Sequence, residues 1–76
     1  MGENNFGWAI QCLKDGRQMQ RAGWNGKNMY IELQVPDYNS KMSLPFIFMK
    51  TADENKVPWL ASQTDMLAMD WQEYQG

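Results

Sequence analysis

The segment that most constrains the fold comprises residues 56–65. Pro58 fixes its own φ and favours an extended conformation at the residue before it, so a strand ends here and a turn carries Trp59. Ser62 and Asp65 have the spacing of a capping box, in which side-chain oxygens bind the first free amides of a helix. The segment therefore predicts a strand, a turn and the start of a helix in close succession.

This segment has two interpretations that its spacing leaves open. In the first it is purely structural, with a proline corner, a buried indole at Trp59 and a helix cap. In the second, an aromatic face lies beside the free amides of a helix N-terminus, which suits a nucleobase and a phosphate. The first interpretation predicts no ligand, whereas the second predicts a nucleotide site.

An amphipathic helix is predicted over residues 6–15. Asn5 can cap its N-terminus, and Gly16 suits the left-handed conformation that often follows a helix. The apolar side chains recur with helical spacing at Phe6, Ala9, Ile10 and Leu13. We therefore expect one face of this helix to pack against the core.

The remaining elements are short. Strands are predicted over residues 17–21, 29–34, 44–50, 56–57 and 71–74, with the last at an edge of the sheet. A second helix is predicted over residues 62–68. The continuous apolar run of residues 44–50 implies burial on both faces or an oligomer contact. Residues 1–76 are thus predicted to form one α+β domain, a small antiparallel sheet with an N-terminal amphipathic helix and a short helix near the C-terminus.

A glycine-rich turn follows the first predicted strand. Gly23 and Gly26 bracket Trp24 and Asn25, so a tight loop could display the indole and the amide to a ligand. In the alternative, Asn25-Gly26 is a simple hairpin turn and Trp24 packs on the sheet. The polar loop over residues 36–43 likewise either closes over a ligand or remains solvated.

The size of the chain suggests self-association. A chain of 76 residues buries only about 60% of the surface that its unfolded form exposes, so its core is thin. It contains four Trp, three Tyr and three Phe, and we expect some of these rings at an oligomer interface or a pocket. A single Cys12 allows no internal disulfide, and a chain without His has no Cys/His zinc site. No metal or cofactor is expected.

The charge balance limits the classes of partner. Seven Lys and Arg against nine Asp and Glu leave a formal net charge of −2. This disfavours DNA and RNA polymers, because binding many backbone phosphates requires a basic face. A nucleotide-sized ligand needs few cations. The apolar run at residues 44–49 is too short to span a bilayer, and no leader peptide is evident, so we expect a soluble protein that does not contact membranes.

A succession of motifs resembles a known family, the Thoeris anti-defense 2-like proteins of phages and prophages. The similarity covers nearly the whole chain, and the order of the motifs is more specific than any single one. They are FGWAI at 6–10, LKDG at 13–16, RAGWNG at 21–26, YIELQ at 30–34, KMSLPFIFMK at 41–50, VPWLASQTD at 57–65 and DW at 70–71.

The resemblance implies a function as well as a fold. It implies a homotetramer of small α+β subunits with nucleotide pockets between them, acting in the cytoplasm of an infected bacterial host. Such proteins are sponges that bind cyclic nucleotide immune signals without cleaving them. The signals include glycocyclic ADP-ribose from TIR enzymes and, for some members, cyclic dinucleotides. Which nucleotide this chain prefers is not evident from its residues.

Candidate ligand residues are assigned by motif position and chemistry. Aromatic faces can stack on a base, short polar side chains can bind base edges, ribose or phosphate, and a cation can supply charge. The candidates are Trp24 and Trp59 for stacking, Asn25 and Gln63 for base edges or ribose hydroxyls, Ser62 and Thr64 for phosphate oxygens, Lys27 or Arg21 for charge, and Asp65 for a ribose hydroxyl or the helix cap.

Two alternative functions remain. A hydrolase of the same nucleotide would need acid and base groups, but no His and no paired-carboxylate or metal-binding spacing is present. We therefore expect a protein without catalytic residues. An interaction module that inhibits a host protein through exposed aromatic residues is the other alternative.

Overall fold

The computed structural model describes residues 3–24, 28–36 and 44–74. It contains two helices and five strands, in the order α1 (Phe6–Lys14), β1 (Met19–Arg21), β2 (Tyr30–Gln34), β3 (Phe46–Lys50), β4 (Lys56–Pro58), α2 (Gln63–Leu67) and β5 (Trp71–Glu73). The strands form one sheet in the order β4-β3-β2-β1-β5, and every pair is antiparallel. The predicted α+β architecture is confirmed.

Local signals fix the ends of α1. The side chain of Asn5 caps the helix by accepting the N–H of Trp8 at 2.8 Å. Gly16 follows with a φ of 91°, the left-handed conformation that glycine adopts without a steric penalty. The helix ends at Lys14, one residue earlier than predicted, and Asp15 is its C-cap. Both predicted caps are therefore confirmed.

The core lies between α1 and one face of the sheet. The helix packs against β1, β2 and β5, and it also contacts α2. Alternate residues of the strands point toward the helix, because successive side chains of a strand face opposite sides of the sheet. The fully or almost fully buried residues of this core are Ala9, Cys12, Leu13, Met19, Ile31 and Trp71.

Proline explains where β3 and β4 differ from the predicted strands. The strand predicted from residue 44 begins at Phe46, directly after Pro45, which has no N–H to donate to a neighbouring strand. β4 extends through Pro58, opposite Phe48, and proline is tolerated there because β4 is an edge strand. The turn between the two strands contains Glu54 at a φ of 73°.

The other edge strand, β5, is held by the residues that precede α1. The backbone oxygen of Asn4 accepts the N–H of Trp71 at 3.0 Å, and the Asn4 side chain donates to the Trp71 oxygen at 2.6 Å. Asn4 has a φ of 72°, a region that asparagine tolerates better than most residues. The predicted position of the last strand at an edge is confirmed.

The continuous apolar run of β3 is divided between the two faces of the sheet. Ile47 and Met49 pack against the core, whereas Phe48 lies on the face away from α1 and is only 7% exposed. Leu44, before the strand, is 72% exposed. In the described part of the chain, no helix is long and apolar enough to cross a membrane.

Candidate functional site

The two indoles predicted to stack on a base both contact a third indole, that of Trp71. Trp71 is fully buried. Its ring centroid lies 5.5 Å from that of Trp24 and 6.1 Å from that of Trp59, and both pairs are nearly perpendicular. Phe6 completes this aromatic cluster at 5.7 Å from Trp71. Trp24 and Trp59 are half-buried, so part of each indole remains accessible to solvent. Their contacts with the buried Trp71 ring hold them in place.

Backbone hydrogen bonds also orient these side chains. The N–H of Trp59 donates to the oxygen of Ile47 at 3.0 Å, so the residue after Pro58 remains attached to β3. The N–H of Trp24 donates to the oxygen of Arg21 at 3.1 Å and closes a tight turn at the end of β1. The predicted turn that carries Trp24 is therefore present. The predicted turn at Trp59 is wrong, because the Trp59 N–H continues the pairing with β3 and residues 59–62 form an irregular segment that leads to α2.

Arg21 joins the end of β1 to the segment around α2. Its Nη1 lies 3.0 Å from Asp65 Oδ1, and its Nε lies 2.8 Å from Asp70 Oδ1. Only 17% of the Arg21 side chain is exposed. Asp70 Oδ2 also accepts the backbone N–H of Gly23 at 2.9 Å. We call Arg21, Asp65 and Asp70 the Arg21 network.

The network keeps its members ionised. The hydrogen bond to Asp70 raises the pKa of Arg21 despite partial burial, and the same bond lowers the pKa of Asp70. For Asp65, burial opposes ionisation, but hydrogen bonds from Arg21 and from both the backbone and the side chain of Ser62 outweigh it and lower the pKa. One cation thus faces two carboxylates, and the network as a whole is negatively charged.

The capping box predicted for α2 is confirmed. Ser62 Oγ accepts the N–H of Asp65 at 3.1 Å, and the N–H of Ser62 donates to Asp65 Oδ2 at 3.3 Å. The backbone oxygen of Asp65 accepts Trp71 Nε1–H at 3.0 Å, which ties α2 to the aromatic cluster. Ser62 and Asp65 thus have structural partners, while Gln63 and Thr64 are exposed on the first turn.

The structure brings part of the predicted site together. Arg21, Trp24, Trp59 and Asp65 surround Trp71 directly or through the Arg21 network. Ser62, Gln63 and Thr64 lie nearby on or before α2. Asn25 and Lys27 lie outside the described residues, as does most of the polar loop at 36–43. A ligand role for each of these residues stays a prediction.

Sequence reasoning missed two residues that organise this region, Asp70 and Trp71. The two residues belong to a motif that the family resemblance rests on, but neither was predicted to be part of the site. Their role depends on the register that places Arg21 opposite Trp71 in the β1–β5 pair, between residues distant in the sequence. The available signal was an acidic residue directly before an edge strand that begins with an aromatic residue.

One concave surface of the structure, away from the predicted site residues, was not predicted. It is an apolar groove with a volume of about 320 Å³ on the face of the sheet away from α1. Lys56 Nζ lies 5.5 Å from the centroid of the Phe48 ring within it. The residues that line this sheet groove are Gln34, Phe46, Phe48, Lys56, Val57 and Pro58.

Comparison with known proteins decides the family. Residues 4–74 match the model of the Thoeris anti-defense 2-like domain. The chain belongs to this family. One member, Thoeris anti-defense 2 of Bacillus phage SP01, is 41% identical to it over 80 residues, covering 88% of this chain and 90% of the relative. The Thoeris anti-defense 2-like domain thus includes every helix and strand described above, and the resemblance inferred from the motifs is confirmed.

Proposed function

We propose that this protein is a phage anti-defence sponge that binds cyclic nucleotide immune signals and sequesters them without cleavage. Membership in the Thoeris anti-defense 2-like family supports the anti-defence role. The observation that supports a nucleotide ligand is the pair of half-buried indoles, Trp24 and Trp59, which both pack against Trp71. The signal is glycocyclic ADP-ribose made by TIR enzymes or a cyclic dinucleotide, and the protein meets it in the cytoplasm of the infected host.

Stacking supplies much of the affinity in this proposal. A base stacked on an aromatic side chain is worth about 1–3 kcal/mol in single-stranded nucleic-acid complexes. A sponge with a nanomolar Kd needs a favourable binding free energy of about 12 kcal/mol in total. Indoles already held by Trp71 lose little freedom on binding, so more of the contact energy remains as affinity. Hydrogen bonds to ribose and phosphate supply the remainder.

The charge of the site affects how phosphates are held. Three donors of Arg21 already bind Asp65 and Asp70, so this cation is largely neutralised before a ligand arrives. The exposed polar side chains of Gln63 and Thr64 are available as neutral donors at the start of α2. In this proposal they act with Asn25 and Lys27.

The proposed assembly is a homotetramer with pockets between subunits. Large apolar side chains are exposed before, within and after α2, with Leu60 at 91%, Leu67 at 78% and Met69 at 70%. None of the residues of α2 is buried in the protomer. A small protein with this much exposed apolar surface favours a binding partner. A second copy would cover these side chains and could complete a pocket at the aromatic cluster.

The same exposed surface favours one second candidate, an interaction module that inhibits a host protein. A hydrolase is less well supported, because the carboxylates beside the indoles are ion-paired to Arg21 and have lowered pKa values. A strong general base needs a pKa near the working pH.

One experiment separates these functions. The protein is incubated with glycocyclic ADP-ribose and, separately, with cyclic dinucleotides, freed of unbound nucleotide and denatured by heat. A sponge releases the intact nucleotide, an enzyme releases products, and an inhibitor of a host protein releases nothing. Protein carrying Glu73→Gln, outside the proposed stacking residues, should release as much as the wild type and serves as the matched control.

A further inference from the structure

Asp70 contacts the turn after β1 through both its side chain and its backbone. Its carboxylate accepts hydrogen bonds from Arg21 Nε at 2.8 Å and from the N–H of Gly23 at 2.9 Å. Its backbone oxygen accepts the N–H of Ala22 at 3.0 Å. The residue before β5 thus holds consecutive residues of this turn.

The fit between Asp70 and this turn is close. A Cβ atom built at Gly23 would lie 3.0 Å from Asp70 Oδ2, which is tighter than most real contacts. The residue that follows Gly23 is Trp24, whose ring rests edge-on against Trp71. The contact between Gly23 and the Asp70 carboxylate is thus one residue along the chain from the Trp24 ring.

Arg21 extends the connection to α2. Its Nε binds Asp70 while its Nη1 binds Asp65, which is also a member of the capping box. The turn that carries Trp24 and the helix start that carries Gln63 and Thr64 are thus linked through a single guanidinium. Their relative position depends on both carboxylates.

We propose that Asp70 is a positioning residue for nucleotide uptake: it fixes the turn at residues 22–24 and so places the Trp24 ring where a base stacks. This inference rests on the proposed function. Asp70 itself does not contact the nucleotide and acts through Trp24. The Arg21 network serves to hold the two halves of the site together and does not supply the charge for a phosphate.

Three variants test the position of Trp24. Asp70→Ala removes every side-chain contact to the turn, Asp70→Asn keeps an acceptor for the Gly23 N–H, and Gly23→Ala crowds the carboxylate without removing its charge. The near-ultraviolet circular dichroism of the Trp24–Trp71 pair should change in Asp70→Ala and Gly23→Ala, and less in Asp70→Asn. Asp53→Asn, on the exposed turn between β3 and β4, should leave this spectrum unchanged.

Equilibrium dialysis with glycocyclic ADP-ribose and a cyclic dinucleotide tests the consequence for uptake. Asp70→Ala should weaken binding of the nucleotide that the wild type takes up by about tenfold or more, the scale of a lost base stack. If Asp70 acts through Trp24, then Asp70→Ala should cause no further loss in a Trp24→Ala background. A merely structural residue would lower the melting temperature but leave affinity unchanged at a temperature where both proteins are folded.

The outcomes separate this inference from the proposed function. An unchanged spectrum in Gly23→Ala and in a folded Asp70 variant would overturn the positioning role. Full affinity in Asp70→Ala, or additive losses with Trp24→Ala, would also overturn it. If Asp70→Ala does not fold, Asp70→Asn and Gly23→Ala decide the question. If the wild type binds no nucleotide, the proposed function fails, and so does the role of Asp70 in uptake, while the spectra still decide whether Asp70 positions Trp24.

Discussion

The two edges of the sheet differ in how completely the protomer covers them. At the β5 edge, Trp71 is fully buried, Asn4 pairs with its backbone, and Asp70 binds the neighbouring turn. At the β4 edge, all of Lys56–Pro58 are exposed, and the strand borders the apolar sheet groove. The residues at the β5 edge find hydrogen-bond partners within the chain, whereas the β4 edge leaves apolar surface exposed to solvent.

This difference indicates a division of tasks. Trp71 at the β5 edge contacts the rings of both Trp24 and Trp59. Under the proposed function, indoles that are already held in this way leave little ordering to be done on binding. The exposed apolar surface beside β4 and on α2 contributes little to the stability of a single protomer, and a partner would bury it. Substitutions at the β5 edge should therefore affect folding, whereas substitutions of the exposed surface should affect assembly.

The largest expected effect is that of Trp71→Ala. Removing a fully buried aromatic side chain costs about 3–5 kcal/mol in the free energy of unfolding, and this one also donates to the Asp65 oxygen. Urea unfolding measures the loss. Trp71→Phe keeps a ring but loses the hydrogen bond, so its loss should be clearly smaller. An equal loss in both variants would show that ring packing contributes little.

The second-largest effect is expected from acid, which should destabilise the β5 edge. The pKa values of Asp65 and Asp70 are lowered in the folded protein, so the unfolded chain binds more protons in acid. The stabilisation is complete well above the ordinary carboxyl pKa of 3.8 and is lost as the pH falls through that value toward the lowered ones. Melting temperatures of Asp70→Asn should depend less on pH in this window than those of the wild type.

Asp53 provides the control for the acid prediction. Its pKa is also lowered, by the hydrogen bond from the Thr51 hydroxyl, but it lies exposed on the turn between β3 and β4. Solvent screens such a contact. Asp53→Asn should therefore retain most of the wild-type pH dependence. If it removed as much of that dependence as Asp70→Asn, the β5 edge would not be the acid-sensitive region.

A smaller effect is expected at Asn4. Asn4→Ala loses the side-chain hydrogen bond to the Trp71 oxygen and places alanine at a φ of 72°, each costing about 1 kcal/mol. Asn4→Gly loses the bond but tolerates the backbone conformation. Thermal unfolding should therefore rank the wild type first, Asn4→Gly second and Asn4→Ala last. Equal stability of all three would mean that Asn4 does not hold this edge.

The smallest effect on protomer stability is expected for Leu67→Ser. The side chain is 78% exposed, so the free energy of unfolding of the protomer should change by no more than about 0.5 kcal/mol. Sedimentation velocity at micromolar concentration should nevertheless show fewer assembled molecules than in the wild type. A wild type that sediments as a monomer would contradict pockets between subunits.

The sequence predicted what depends on neighbouring residues. Asn5 and Gly16 marked the ends of α1, and Ser62 with Asp65 marked the start of α2, because caps act within one helical turn. These signals need no knowledge of the rest of the fold.

Contacts between residues on neighbouring strands could not be predicted from the sequence, because they depend on how the strands are aligned. The ion pair between Arg21 and Asp70 was not predicted, because nothing local in the sequence shows that the two residues lie side by side. Trp71 was expected only to close the sheet, since its burial depends on Asn4, α1 and β1 meeting at one edge. The start of β3 was placed two residues early because the apolar pattern outweighed Pro45.

Titration calorimetry of the wild type and Trp59→Ala with glycocyclic ADP-ribose and cyclic dinucleotides tests the central claim most directly. We predict that the wild type binds at least one of these nucleotides with a Kd in the nanomolar range, which corresponds to a favourable binding free energy of about 12 kcal/mol. Trp59→Ala should lose that binding while sedimenting like the wild type. No binding by the wild type across these ligands, or unchanged affinity in folded Trp59→Ala, would contradict a sponge built on these indoles.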